Sequence, residues 1–217
     1  MSASGQHTQD LAQGGSLVPA WVKDAARGIL RPVVRAAIAL HVTPNMVTVI
    51  GFLVVVVAAI VVGMGGLLAG AAIVTAGSLL DAVDGALARA MGGGTPFGGF
   101  LDSTLDRAAE ANLYAGIAAY YLGGDAPTWP VIAAFGALAG SFLVSYTRAR
   151  AEGIGLTAAI GLAPRAERIV LIVAGLALAG LGAGVALIAI LWIIGILTVA
   201  TTLQRIWHVW RLTSNGS

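Results

Sequence analysis

No cysteine occurs in the 217 residues, which excludes disulfides, thiolate nucleophiles and metal sites held by sulfur. Charge is scarce too: Asp, Glu, Lys and Arg make up 10% of the chain, against about a quarter in an ordinary soluble domain. So few charges cannot clothe a water-facing surface, and a soluble enzyme, a disordered chain and a nucleic-acid binder are all excluded on that ground. The sequence pI near 9.4 does not revive the last of these, because the net charge is only +2 and the basic residues are dispersed. The first fifteen residues lack the apolar core of a secretory signal, so an internal segment is expected to direct insertion. No internal repeat is visible. What remains is apolar: hydrophobic residues form 58% of the chain and mean hydropathy is +0.91. This is the composition of an integral membrane protein.

A membrane-crossing helix needs about 20 mostly apolar residues. Six such segments can be read: 46–64; 67–80 with helical character continuing to 91; 98–122; 129–151; 165–180; and a last one reaching Trp210. Gly- and Pro-containing turns separate them. The third is interrupted by Asp102, Asp106, Arg107 and Glu110. The basic residues test the count. With six spans, Lys23, Arg27, Arg31, Arg35, Arg89, Arg107, Arg148, Arg150, Arg165, Arg168, Arg205 and Arg211 all fall toward one side, and the opposite turns carry neither Lys nor Arg. By the positive-inside tendency that side is cytoplasmic and holds both termini.

Residues 21–38 interleave four basic residues with Val22, Ala25, Ile29, Leu30, Val33 and Val34, the pattern of an amphipathic helix lying on the membrane surface. The expected organisation is a polar tail (1–18), a juxtamembrane amphipathic helix (19–41), a six-helix domain (42–211) and a short C-terminal tail (212–217). The fold class is an all-α integral membrane protein.

Four of the ten acidic residues lie within 26 positions: Asp81, Asp84, Asp102 and Asp106. Spacings of three and four place each pair on one helix face. A short connection is expected to make the two helices antiparallel neighbours, so both pairs meet at one opening. Helix-end electrostatics account for an Asp at the start of the third helix, but not for Asp81 and Asp84 in the C-terminal half of the second. Four adjacent carboxylates near hydrocarbon need neutralisation. An all-oxygen set suits a hard divalent cation, Mg²⁺ or Mn²⁺. Gly85, Gly92-Gly93-Gly94 and Gly98-Gly99 allow close approach of backbone or ligand, and Arg89 is a phosphate partner by charge.

The run Asp81-Ala82-Val83-Asp84-Gly85-Ala86-Leu87-Ala88-Arg89, followed by Gly98, Asp102 and Asp106, matches D-x2-D-G-x2-A-R-x8-G-x3-D-x3-D at all eight fixed positions. It resembles the signature of the CDP-alcohol phosphotransferases. The resemblance implies transfer of a substituted phosphate from a CDP-alcohol to an acceptor hydroxyl, with release of CMP. It implies that Asp81, Asp84, Asp102 and Asp106 hold divalent metal, with Asp106 as the base. Gly85, Ala88, Arg89, Gly98 and Asp81 would line the nucleotide and diphosphate. Thr43-Pro44-Asn45-Met46-Val47-Thr48 resembles the family's turn before the first span and puts Asn45 and Thr48 at the nucleotide. A homodimer is also implied.

A phosphorylated acceptor needs cations, and Arg148, Arg150, Arg165, Arg168 and Arg205 lie at cytoplasmic helix ends. Their segments are similar to stretches of the family's phosphatidylinositol phosphate synthases. That similarity gives CDP-diacylglycerol as donor, inositol phosphate as acceptor, and Arg148, Arg168 and Arg205 as ligands of its phosphate. Those enzymes carry Lys in place of Arg148 and Asp in place of Asn45, which leaves glycerol 3-phosphate as an alternative acceptor. Arg165 matches the family less closely. A reading of another class is a pathway for an ion or polar solute, since intramembrane charges often mark transport. Against it, the charges gather at one face and leave the first span bare.

Overall fold

The computed structural model describes residues 31–124 and 127–214, and every regular element among them is helical. Residues 31–39 form α1. There follow α2 (Pro44–Gly63), α3 (Leu67–Ala90), α4 (Pro96–Leu122), α5 (Trp129–Glu152), α6 (Arg165–Gly180) and α7 (Gly184–Ser214). The last six agree with the six segments read from the sequence to within about one helical turn. The expected polar tail and the first part of the surface helix lie outside the described residues.

The helices pack in a ring: α2 on α4, α4 on α5, α5 on α7, α7 on α6, α6 on α3, and α3 back on α2. α3 and α4 are joined by a short turn, yet each packs chiefly on α2, so the turn spans a cleft. Small residues make the close contacts. A Cβ on Gly116 of α4 would stand 2.2 Å from the Ala59 carbonyl oxygen of α2, and one on Gly140 of α5 would stand 2.1 Å from Thr198 Oγ1 of α7. Such approaches are how helices gain contact in lipid, where tails are as apolar as the side chains.

Inside the ring, Leu113 and Ile117 of α4, Ile172 and Leu176 of α6, and Leu187, Leu191 and Ile194 of α7 are fully buried. The outside is apolar as well, with Ile60, Phe135, Val185 and Ile196 exposed. An exterior of that kind belongs in lipid. α2, α3, α5 and α7 are long and apolar enough to cross a membrane. α4 carries the interior charges, and α6 has only 16 residues. α1 rests on α2 and α3 through Val34, which packs with Val47, Val83 and Leu87, while Arg31 and Arg35 face outward.

Candidate active site

Two Thr-Pro steps frame the site. Thr43 Oγ1 accepts from Met46 N at 3.3 Å and Thr95 Oγ1 from Gly98 N at 3.0 Å, capping α2 and α4. Pro44 and Pro96 follow in the first turn, where a missing N–H costs nothing. Between α3 and α4 the chain turns through Gly92 and Gly93 at φ 97° and 113°, a region other residues rarely enter. These parts enclose a cavity of about 470 Å³ lined by Thr43, Asn45, Thr48, Asp84, Gly85, Ala88, Thr95, Gly98 and Asp102. Five of the seven expected nucleotide residues therefore face one space. Asp81 faces a smaller neighbouring cavity. Arg89 is exposed and lays its guanidinium across Gly85, where an added Cβ would lie 3.4 Å from Nη1. At Gly98 a Cβ would lie 3.0 Å from Asn45 Oδ1, so a larger residue would crowd the two helix starts.

The smaller cavity, about 30 Å³, lies between α2, α3, α4 and α6, and is lined by Thr48, Asp81, Asp84, Asp106, Glu110 and Arg165 among others. Three of the four expected metal ligands converge: Asp81, Asp102 and Asp106 each offer an oxygen within 4.8 Å of the others'. The fourth is turned aside. Asp84 is 7% exposed and accepts from Thr48 Oγ1 at 2.7 Å, while staying within electrostatic reach of Asp81 and Asp102. With Thr48 it lines both cavities, which therefore share a wall. The donor set fits a hard divalent cation. It is all oxygen, drawn from two helices, and compact enough for one ion to reach three carboxylates. Mg²⁺ or Mn²⁺ would be held by Asp81, Asp102 and Asp106, with Asp84 adjacent.

The arginines differ most from expectation. Arg165 donates from Nη1 to Asp81 Oδ2 at 2.9 Å and stands 2.7 Å from Asp106 Oδ1 through Nη2. It is thus the cation at the carboxylates, where the looser family match had ranked it below Arg168. Arg168, expected on the acceptor phosphate, is 1% exposed and forms a bidentate pair with Glu110 at 2.8 and 2.9 Å. Its Nη1 donates to the Ala163 carbonyl at 2.8 Å. The physical reason is Glu110, a carboxylate 2% exposed, which must be compensated where it lies. Arg205, also expected on the phosphate, donates from Nε to the Ile160 carbonyl at 2.8 Å and from Nη1 to that of Val144. It has no carboxylate partner among the described residues. Thr201 Oγ1 accepts from Leu162 N and Ala163 N at 3.0 and 3.2 Å. Arg205, Thr201 and Arg168 thereby fasten the loop 153–164 that delivers Arg165 to the aspartates. Arg148, the third expected phosphate ligand, pairs with Glu152 at 2.8 Å with both side chains about half exposed. Arg148 and Arg168 lie within electrostatic reach of Arg205, so the three do gather at one end of the bundle.

Sequence reasoning gave no role of their own to Glu110, Thr43 and Thr95 and did not pair Arg165 with the aspartates. The repeated Thr-Pro step was the available signal for the caps. For Glu110 the signal was its place four residues after Asp106, one turn further along the same face.

A helical bundle built for lipid, with a hard-cation site beside a cleft flanked by two helix starts, defines a membrane enzyme acting on phosphate esters. The chain belongs to the CDP-alcohol phosphatidyltransferase family, whose sequence profile it matches over residues 41–207. It is 45% identical over 152 residues to the archaetidylinositol phosphate synthase of Pyrococcus horikoshii, covering 70% of this chain and 78% of that one. With the phosphatidylinositol phosphate synthase of Cutibacterium acnes it shares 37% identity over 155 residues, covering 70% and 74%. The fold is similar to the crystal structure of the Mycobacterium tuberculosis phosphatidylinositol phosphate synthase with CDP-DAG bound. The TM-score is 0.78 at 34% identity, over 84% of this chain and 94% of that one. A second structure of that enzyme, in complex with manganese and citrate, gives 0.76 at 34% identity over 83% and 88%.

Proposed function

We propose that this chain transfers the phosphatidyl group of CDP-diacylglycerol to a hydroxyl of inositol phosphate, releasing CMP and forming phosphatidylinositol phosphate. The observation that carries the reading is the pair of adjoining cavities, one flanked by two helix N-termini and glycines, the other by carboxylates. Helix starts present unpaired N–H groups and partial positive charge, which suits a diphosphate. Asn45, Thr48, Gly85, Ala88 and Gly98 line the nucleotide, Asp81 borders it, and Arg89 closes on the diphosphate from the rim. Asp81, Asp84, Asp102 and Asp106 serve the metal centre, with Mg²⁺ or Mn²⁺ as cofactor. When bound, the cation offsets negative charge on the diphosphate and on the departing CMP.

Asp106 is the general base. It accepts the proton of the acceptor hydroxyl as that oxygen attacks the phosphatidyl phosphorus, and the bond from phosphorus to the CMP oxygen breaks. Thr48 holds Asp84 in place from α2. All six helices α2–α7 cross the bilayer, α4 and α6 included, because Asp106, Glu110, Arg165 and Arg168 face the ring interior and the shared cleft. α1 continues the surface helix predicted over 19–41, within the organisation read from the sequence. The positive-inside pattern puts the termini and the site at the cytoplasmic face of the cell membrane, and the working unit is a homodimer.

For the acceptor phosphate we retain Arg148, Arg168 and Arg205 with unequal parts. Arg148 has only an exposed, weak pair to give up. Arg205 adds a positive charge that no carboxylate contacts directly among the described residues. Arg168, neutralised by Glu110, mainly positions the others. Arg148→Gln is therefore expected to raise the KM for inositol phosphate by roughly 10- to 150-fold, the range of one lost charge-assisted hydrogen bond. The KM for CDP-diacylglycerol should stay within about twofold, and Arg148→Lys should be mild. The check is initial CMP release with CDP-diacylglycerol saturating, against inositol phosphate, free inositol and glycerol 3-phosphate. An unchanged inositol phosphate KM in Arg148→Gln would move the acceptor site elsewhere. A wild-type preference for glycerol 3-phosphate would keep the reaction and replace the acceptor.

A further inference from the structure

Arg165 occupies a place that the metal-centre reading reserves for a cation. Its two terminal nitrogens stand 2.9 Å from Asp81 Oδ2 and 2.7 Å from Asp106 Oδ1, tying α6 to α3 and α4 through two of the three clustered carboxylates. We propose that this guanidinium is the centre's own counter-cation, holding the carboxylates together before metal is loaded and exchanged when metal binds. The proposal rests on the metal-centre reading above.

Three observations carry it. The first is charge. Asp81, Asp84, Asp106 and Glu110 line the inner cavity, and Arg165 is the only cation among its lining residues. Glu110 is already matched by Arg168, so Arg165 is the cation in direct contact with Asp81 and Asp106, while Arg107 acts on Asp106 only from a distance. The second is the quality of the seat. Arg165 Nε is buried with no hydrogen-bond partner among the described residues, whereas Arg168 places Nε and both terminal nitrogens on acceptors. A guanidinium seated for good satisfies its planar fork, because an unpaired buried donor is costly. Arg165 accepts that cost only while it bridges. The third is freedom to leave. The Arg165 side chain is 32% exposed and that of Arg168 only 1%. A metal drawing on Asp81 and Asp106 competes for the same carboxylates and is repelled by the guanidinium, so the two cations exclude each other.

Manganese titration of the purified full chain in detergent, without substrates, reads this directly through the electron paramagnetic resonance of free Mn²⁺. Arg165→Gln is expected to lower the Kd for Mn²⁺ roughly two- to thirtyfold, the range for two partly exposed ion pairs. Its metal-free thermal midpoint should fall, and its rise on adding Mn²⁺ should exceed that of the wild type. Arg165→Lys keeps the charge but cannot bridge both carboxylates with a planar fork, so its Kd should fall between the two. If Arg165→Gln does not survive metal removal, Arg165→Lys against wild type makes the same comparison. Wild-type protein that binds no Mn²⁺ would defeat the metal reading itself. Mn²⁺ bound by the wild type and bound no more tightly by either variant would overturn the counter-cation alone.

Discussion

Asp106→Asn is expected to lower turnover by roughly 10³-fold, within the range that a positioned general base contributes. Asparagine keeps the volume and one oxygen toward the cluster but cannot take up the acceptor's proton. The change therefore separates chemistry from binding. CDP-diacylglycerol affinity should stay within a few-fold of wild type, because five of the seven nucleotide residues line the outer cavity and Asp106 only the inner one. Single-turnover CMP release gives the first quantity and equilibrium binding of CDP-diacylglycerol the second. A variant that turns over within a few-fold of wild type would mean that the proton goes to another group. Loss of donor binding along with turnover would assign Asp106 a purely ligating part.

The other large effect concerns stability. Arg168 and Glu110 are 1% and 2% exposed, and their bidentate pair links α6 to α4. Removing one member strands a charge in an apolar interior, at a cost of about 3–5 kcal/mol. Glu110→Gln and Arg168→Gln are each expected to lower the thermal midpoint in detergent by many degrees. The double replacement Glu110→Gln/Arg168→Gln should recover a good part of the loss, since no charge is then left unmatched. The same experiment decides between two roles for Arg168. Intact stability with a raised inositol phosphate KM would restore Arg168 as a direct phosphate ligand. Reduced stability in both single variants, relieved in the double, identifies it as the clamp that positions Arg165.

The helices were legible because the apolar runs are separated by turns containing glycine or proline. α2 begins two residues earlier than the apolar run alone indicates, since Thr43 and Pro44 cap it. The carboxylate cluster was legible because spacings of three and four fix a helix face whatever the tertiary arrangement. The partners of Arg165 and Arg168 were not. The two are one turn apart on α6, and Asp106 and Glu110 are one turn apart on α4, so the helices form a two-rung ladder. Which arginine meets which carboxylate depends on the axial offset of α6 against α4, a tertiary quantity that local periodicity does not contain. α3 and α4 do bring their carboxylates to one opening, but what holds the two helices there is not contained in their turn. A short turn fixes separation at one end only, and α2 provides the shared packing surface for both helices.

The most direct test of the central claim is CMP release by the purified protein given CDP-diacylglycerol and inositol phosphate, with Mg²⁺ and again in excess EDTA. The account predicts one CMP per phosphatidylinositol phosphate formed, no release in EDTA, and recovery when Mg²⁺ or Mn²⁺ is restored. CMP appearing at the same rate in EDTA, or none appearing with any phosphorylated acceptor, would contradict it.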